Sequence, residues 1–442
     1  MTPGARLQAS IELLAAIHGG TAPADRAVAD YFRHRRYIGG GDRRDVLERV
    51  YAILRARARL DWWIARQGGE GTERERVIAA LALLEGWSAD RIAGSFDGGP
   101  YRPAPLTREE RALARALAGK ALADPAQPDW VRLEFPEWLE TPMRKLYGKR
   151  FEAEMAALMV PAETDLRVNL LKADRDGAQA ALKREGVEAR PTPFSPLGLR
   201  IAGRPPLATL AAFKDGLVEV QDEGSQIVAL LADARPGQRV VDFCAGAGGK
   251  TLALAAAMQN KGQIVACDTL KGRVDRAAIR LRRAGVHNVE RRGLSSERDP
   301  WVKRHAGAYD RVLVDAPCSG SGTWRRNPDQ KWRLQADAIA ELADLQSRIL
   351  ESAARLVKPG GRLVYATCAL LRDENEDRVT GFLEAHPDFA ALPIGGLWRD
   401  TIGGEAPEAA AGARDGTSLR LTPAAQGSDG FFLAALERRA AA

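Results

Sequence analysis

The second half of this 442-residue sequence predicts an open, mainly parallel, doubly wound α/β sheet, preceded by a small α/β unit and an all-α amino-terminal domain. Three observations predict it. From "GLVEVQD" onward, short apolar runs alternate with amphipathic stretches, the pattern of strand–helix–strand crossovers. Upstream, "DLRVNLLKA", "AQAALKREGV" and "PLGLRIAG" read as strand, helix, strand. From Ala5 to about Asp124, apolar residues recur at three- and four-residue spacings.

In the first segment, "DVLERVYAILRARARLDWWIARQ" sets Val46, Leu47, Val50, Ile53 and Leu54 on one helix face with arginines opposite. The loop "DGGPYRPAPLTREE" interrupts the helices and ends in an N-cap at Thr107. Trp62 and Trp63 read as bundle packing. A connector with further helix runs from Pro128 to Pro161, and the small α/β unit closes before Pro205 and Pro206. In the sheet domain, strands are expected at 239–243, 263–267, 310–314 and 362–366. Helices are expected near 251–258, 272–284, 336–356 and 374–385. "SLRLTP" and "DGFFLAAL" form a hairpin that supplies an antiparallel edge, and "PEAAAGARDG" reads as a loop. The expected domains are therefore 1–125, 126–215 and 216–442.

No run approaches the length of a membrane span, and the start of the chain, with Arg6 and then Glu12, lacks a signal-peptide profile. A cytoplasmic, monomeric protein with no membrane association is expected. Only four cysteines occur, none in a C-x-x-C pair, so neither a disulfide framework nor a metal site is expected. The net charge of +7 fits a polyanionic partner or simply an arginine-rich composition.

"RVVDFCAGAGGKTLALAAAM" reads as strand, glycine turn and helix. A phosphate-binding P-loop needs glycine where Cys244 stands. Asp242 lies inside the strand end, and Asp268 closes the next strand about 20 residues after the glycines, the spacing at which an acid meets a ribose diol. The turn suits a nucleoside cofactor better than a triphosphate, even though "RVLVDAP" resembles a Walker B strand. Gly246, Gly248 and Gly249 would equally serve any tight strand-to-helix turn. Lys250 is left for the substrate, for acid–base chemistry, or for solvent.

"VLVDAPCSGSGTWRRNPDQKW" and "GRLVYATCALLRDENED" each deliver a cysteine directly after an apolar strand. If both strands join the parallel sheet, Cys318 and Cys368 emerge on the edge that carries the glycine turn. A reactive thiolate needs such a polar setting. Cys267 reads as a buried apolar residue, and Cys244 fits that reading too. None of the five histidines directly follows a core strand, which disfavours a Cys-His hydrolase.

"DFCAGAGGKT", "DAPCSGSGTWRRNPDQKW" and "LVYATC" closely resemble the motifs of the Sun/RsmB-type (NSUN-like) S-adenosylmethionine-dependent RNA cytosine-5 methyltransferases. The resemblance runs from about Phe135 to the end and includes "RVNLLKA", "VEVQDEGSQ" and "SDGFF". Up to residue 124 the chain is only loosely similar to a NusB-like RNA-binding domain. The resemblance implies a Rossmann-like class I methyltransferase domain acting on RNA, either ribosomal RNA or transfer RNA. It implies Cys368 as the nucleophile at cytosine C6 and Cys318 as its partner in release. Asp315 is implied at the base's N3/N4 edge and Lys250 beside the nucleophile. Cys244, Ala245, Gly246, Ala247, Gly248, Gly249, Lys250, Asp268, Arg273 and Asp315 are implied around S-adenosylmethionine. The family's Gly-Asp on the adenine side is missing: Leu294, Ser295 or Ser296 stands there. Between Lys271 and Arg304, eleven Lys/Arg face four Asp/Glu, a face suited to phosphates or merely to solvent. Trp324 and Trp332 either stack on a splayed base or pack in the interior.

Overall fold

Helix formers dominate the first 160 residues, and the chain folds there into ten α-helices, from Pro3–Gly19 to Phe151–Met159. The computed structural model describes residues 1–203, 205–408 and 416–440, so most of the "PEAAAGARDG" loop lies outside the described residues. The chain divides into two compact units, one of Met1–Val160 with Trp324–Leu334, the other of Pro161–Thr323 with Gln335–Ala442.

In the first unit, the face anticipated from the periodicity is buried at Val46, Val50, Ile53 and Leu54. These residues pack with Leu13, Leu14, Ile17, Val77 and Ile78. Thr72 and Thr107 start helices through capping boxes, with Glu75 and Glu110 reaching back to the cap N–H. Each such cap stabilises by about 1 kcal/mol. Trp63 is buried and meets Trp62 edge-on at 5.0 Å. Residues 126–160, expected as a connector, pack in this unit. The physical reason is Glu134, whose buried carboxylate accepts the Ala58 N–H at 2.9 Å and Arg59 Nε at 2.8 Å.

The segment Trp324–Leu334 is part of this unit although it follows Cys318 in the chain. Asp329 accepts the Ala24 N–H at 3.0 Å, Trp332 Nε1 donates to the Leu54 carbonyl at 3.4 Å, and Arg333 donates to the Gly20 carbonyl at 3.1 Å. Trp324 is 2% exposed, which is the packing role rather than the stacking one. Burial pushes the Lys331 ammonium down to about 8 and the Glu134 carboxyl up.

In the second unit, β1 (Thr164–Val168), β2 (Ala189–Pro191), β3 (Gly198–Ile201) and β4 (Val218–Val220) form an antiparallel sheet in the order β2-β3-β1-β4. The boundary expected at 215 would separate β4 from β1, but Leu166 pairs with Val220 and Val168 with Val218.

The larger sheet contains β5 (Arg239–Asp242), β6 (Gln263–Asp268), β7 (Val289–Gly293), β8 (Tyr309–Asp315), β9 (Val357–Thr367), β10 (Phe389–Ala391), β11 (Ser418–Leu421) and β12 (Phe431–Arg438). Its order is β10-β12-β9-β8-β5-β6-β7, with β11 also against β12. Strands β5 to β9 are parallel, while β10, β11 and β12 make the antiparallel side. Val240, Val241, Ile264, Val265, Val312, Leu313, Leu363 and Val364 are at most 1% exposed, which is why these strands read as unbroken apolar runs. The connections run one way from β5 to β6 and β7, and the other way to β8 and β9. The crevice for a ligand therefore opens at the carboxyl ends of β5 and β8.

Candidate active site

The glycine turn leaves β5 at that crevice. Gly246 (φ 55°) and Gly248 (φ 81°) occupy the left-handed region, and Gly248 caps the helix Gly249–Ala257. A side chain on Gly248 would come within 3.0 Å of the Ala277 Cβ. Asp268 ends β6 and braces the turn: Oδ2 accepts the Gly246 N–H at 2.9 Å and Oδ1 accepts the Leu270 N–H at 2.7 Å. Each oxygen keeps a further lone pair, the acceptor chemistry that a ribose diol requires. The Arg273 guanidinium lies 3.5 Å from where a Cβ on Gly246 would sit, so it belongs to the same rim. An adenosyl ligand fits these residues, because the two glycines leave the backbone bare where Asp268 presents its oxygens.

Three residues not anticipated from the sequence hold this turn in place. Arg167, buried on β1, donates to the Gly249 carbonyl at 2.8 Å. Arg280 donates to the Ala247 carbonyl at 2.8 Å and pairs with Glu219 of β4 at 3.1 Å. The small sheet thus buttresses the turn that the large sheet presents. Burial pushes Arg167 down to about 10.

Lys250 begins the following helix, yet its side chain is only 8% exposed, so it is not a solvated lysine. Nζ donates to Asp315 Oδ2 at 2.6 Å and lies 5.3 Å from the centre of the Phe431 ring. Asp315 remains about one third exposed at the end of β8. Behind this pair Asp242 is fully buried, accepts the Thr251 hydroxyl at 2.7 Å through Oδ2, and has no hydrogen-bond partner at Oδ1. Burial pushes its carboxyl up to about 7.

Register brings the two cysteine loops together: Asp315 of β8 pairs with Ala366 of β9, two residues before Cys368. The Cys318 and Cys368 sulfurs stand 3.4 Å apart, and both residues are half-buried. The Gly322 N–H donates to the Cys368 carbonyl at 2.9 Å, linking the loops a second time. Cys318 is raised well above a normal thiol, first by its hydrogen bond to Cys368, then by burial and by the charges of Cys368 and Glu374. Cys244 is half-buried beside Ala245 and Ala247, and desolvation followed by the carboxylates of Asp242, Asp315 and Asp268 pushes it up as well. Cys267 is fully buried and raised by desolvation, the apolar role expected for it.

Glu374, also missed in the sequence, lies in the turn Arg372–Glu374 and is fully buried. Its Oε1 accepts the Ser319 N–H at 2.7 Å and Gln346 Nε2 at 3.2 Å, while Oε2 accepts the Ser319 hydroxyl at 2.6 Å. Its neighbour Asn375 accepts from Thr367 and donates to the Ala369 carbonyl at 2.9 Å. Beyond it, Arg420 and Glu376 form a buried ion pair in which one guanidinium nitrogen, Nη2, donates to both carboxylate oxygens at 2.6 and 2.7 Å.

On the adenine side, Leu294 is buried and the Ser295 N–H and hydroxyl both donate to Asp299 Oδ2, at 2.9 and 2.8 Å. Asp299 also caps the helix Pro300–Arg304, so no free carboxylate stands at the expected place. In the basic stretch 271–304, Arg280, Arg283, Arg291, Arg292 and Arg298 are held in ion pairs. Lys271, Arg273, Arg276 and Arg282 share the helix Lys271–Ala284 with two of them.

Residues 229–437 match the family model described as 16S rRNA methyltransferase RsmB/F, and residues 135–208 match the ferredoxin-like domain of RsmF/B-like methyltransferases. Ribosomal RNA small subunit methyltransferase B of Photorhabdus laumondii is 34% identical over 304 residues, which are 69% of this chain and 66% of that protein. The probable ribosomal RNA small subunit methyltransferase B of Synechocystis sp. is 30% identical over 419 residues, covering 90% of this chain and 91% of the relative. The chain belongs to the RsmB/F methyltransferase family. This RsmB/F-type enzyme takes S-adenosylmethionine as its methyl donor and has the Rossmann-like class I methyltransferase fold. The crystal structure of PH0851 is similar to it with a TM-score of 0.79 and 29% identity, covering 99% of each chain. Among the described residues, no helix of the RsmB/F-type chain is long and apolar enough to cross a membrane.

Proposed function

We propose that this methyltransferase acts on ribosomal RNA and places its methyl group on C5 of a cytosine, through a covalent bond between Cys368 and C6. The names of its relatives support the RNA class. The observation that carries the chemistry is the pair of half-buried sulfurs 3.4 Å apart at the sheet edge that bears the glycine turn.

Cytosine C5 is too weak a nucleophile to take a methyl group unaided. The Cys368 thiolate adds its electron pair to C6, breaking the C5–C6 π bond and moving that pair toward C5. Lys250 donates to one oxygen of Asp315, leaving the other to accept from the base's exocyclic amine and hold the ring during this charge uptake. Cys244 to Lys250, Asp268, Arg273 and Asp315 would surround S-adenosylmethionine, which supplies the methyl group as a sulfonium electrophile. Once the Cys368 sulfur is a neutral thioether, the Cys318 thiol no longer faces a thiolate across the 3.4 Å contact, and Cys318 releases its proton to water. Its thiolate then takes the C5 proton. The C–H electron pair restores the C5–C6 double bond, the C6–S bond breaks, and Cys368 leaves as a thiolate beside a protonated Cys318. The starting pair is regenerated with one proton released overall. The target base must leave its stack to reach the sulfurs, so a loop or locally open RNA is the substrate.

Bisulfite mapping of total RNA, with and without the protein, identifies the cytosine. A Cys368→Ala variant is expected to transfer no methyl group, and undiminished transfer would overturn the assignment. Cys318→Ala is expected to stall as a protein–RNA adduct, seen as a slow band on a denaturing gel.

A further inference from the structure

We propose that Glu374 is a positioning residue for adduct release: it clamps the Cys318 loop against the Cys368 loop through Ser319, and sets a buried carboxylate beside the Cys318 loop. The inference rests on the two-cysteine reading above and extends it to a residue that touches neither substrate nor cofactor.

The geometry singles this side chain out. Glu374 is fully buried, which raises its carboxyl, and three donors converging on its two oxygens oppose that shift and favour the carboxylate form. Two of those donors belong to Ser319, the residue after Cys318. The third, Gln346 Nε2, also donates at 3.0 Å to the carbonyl of Pro317, the residue before it. Both chain neighbours of Cys318 are thus anchored to one buried carboxylate and its amide partner. The carboxylate itself sits six residues beyond Cys368, on the loop of the other sulfur. Its backbone is anchored too, since the Tyr365 hydroxyl of β9 donates to the Glu374 carbonyl at 2.6 Å. Rotating Cys318 away from Cys368 would break several of these bonds together.

The charge acts in the same direction as the clamp. The titratable groups that bear on Cys318 are Cys368 from the turn after β9, Glu374 from the next turn, and Tyr365 from β9 itself. Cys368 loses its charge on forming the adduct, whereas Glu374 does not. In the adduct Glu374 is therefore the negative charge that remains next to Cys318, and a negative neighbour strengthens a thiolate as a base.

The test separates charge from clamp. Glu374→Gln keeps the shape, since an amide oxygen can accept the Ser319 N–H while the hydroxyl turns to accept from the amide. Glu374→Ala removes both. In protein free of RNA and methyl donor, iodoacetamide alkylation of Cys318, followed peptide by peptide from pH 7 to 9.5, is expected to be several-fold faster in Glu374→Gln. Its profile should move to lower pH, because each unit of pKa lowered means about tenfold more thiolate. An unchanged or slower rate overturns the proposal. With RNA and S-adenosylmethionine present, both variants are expected to accumulate several-fold more covalent adduct at an unchanged KM for S-adenosylmethionine, and adduct at the wild-type level overturns it. Should Glu374→Ala melt before it can be assayed, Ser319→Ala replaces it and removes a single donor. It is expected to raise adduct to a smaller extent, and no rise counts against the clamp. If no variant forms adduct, Cys318→Ala included, the cytosine reading fails while the alkylation result stands by itself.

Discussion

Replacing Asp242 by asparagine should change how the stability of the methyltransferase unit depends on pH. The carboxyl is fully buried at the end of β5, bonded through one oxygen to Thr251, with the other oxygen unpartnered. Burial raises it from 3.8 to about 7. Between those values the folded chain holds a proton that the unfolded chain has released, so stability falls as pH rises. Below 3.8 both states are protonated and above 7 both are ionised, so the group adds no slope outside that window. From pH 5.5 to 8 the wild type should lose about 2 kcal/mol through this group, at roughly 1.4 kcal/mol per unit over the part of the window that is crossed. Asparagine cannot ionise and abolishes that slope. It also buries amide hydrogens beside the vacant acceptor position, at a pH-independent cost of about 1–3 kcal/mol. Asp242→Asn is thus expected to be the less stable protein at pH 5.5 and to draw level with or pass the wild type at pH 8. Urea unfolding at both pH values, with equal m-values, measures the difference. Parallel pH profiles for the two proteins would refute the argument.

Gly248→Ala places a methyl group 3.0 Å from the Ala277 Cβ at a φ of 81°. It is expected to weaken S-adenosylmethionine binding at least tenfold in calorimetric titration, and an unchanged Kd would count against the turn as the cofactor cradle. Arg420→Met strands the buried Glu376 carboxylate and should cost about 3–5 kcal/mol in urea unfolding. Arg420→Met with Glu376→Gln should recover part of that loss. Thr107→Ala removes the cap from the helix Arg108–Leu117. It should lower stability by about 1 kcal/mol, with methyl transfer unchanged in a filter assay of labelled RNA.

The parallel strands were legible because burial on both faces leaves a continuous apolar run, as at Val312–Leu313 and Leu363–Val364. The meeting of Cys318 and Cys368 was legible for a related reason, since residues that follow adjacent parallel strands emerge on one edge. Glu374 was not, because "RDENED" has the composition of an exposed helix start. What buries it is Ser319 and Gln346, distant in sequence, and no local pattern encodes that. Arg167 and Arg280 escaped notice likewise, since an arginine that caps a turn's carbonyl, from a strand of the small sheet or from a neighbouring helix, looks like any surface arginine. The boundary at 125 followed a change of local pattern, whereas Glu134 joins the helical unit through a single buried carboxylate. The tryptophans after Cys318 were ambiguous because stacking and packing use the same side chain.

Residues Trp324–Leu334 give the helical unit an unusual dependence on time. Residues 1–160 of it are synthesised before the sheet, yet the groups that Asp329, Trp332 and Arg333 satisfy must wait until the sheet's fourth parallel strand, β8, has already been made. The Glu134 carboxylate waits as well for the charge of Lys331 to arrive in its surroundings. A ribosome-bound fragment ending before Trp324 should therefore carry a loosened amino-terminal bundle that tightens only as the later segment emerges. Excising that bundle at residue 160 would leave it permanently unfinished.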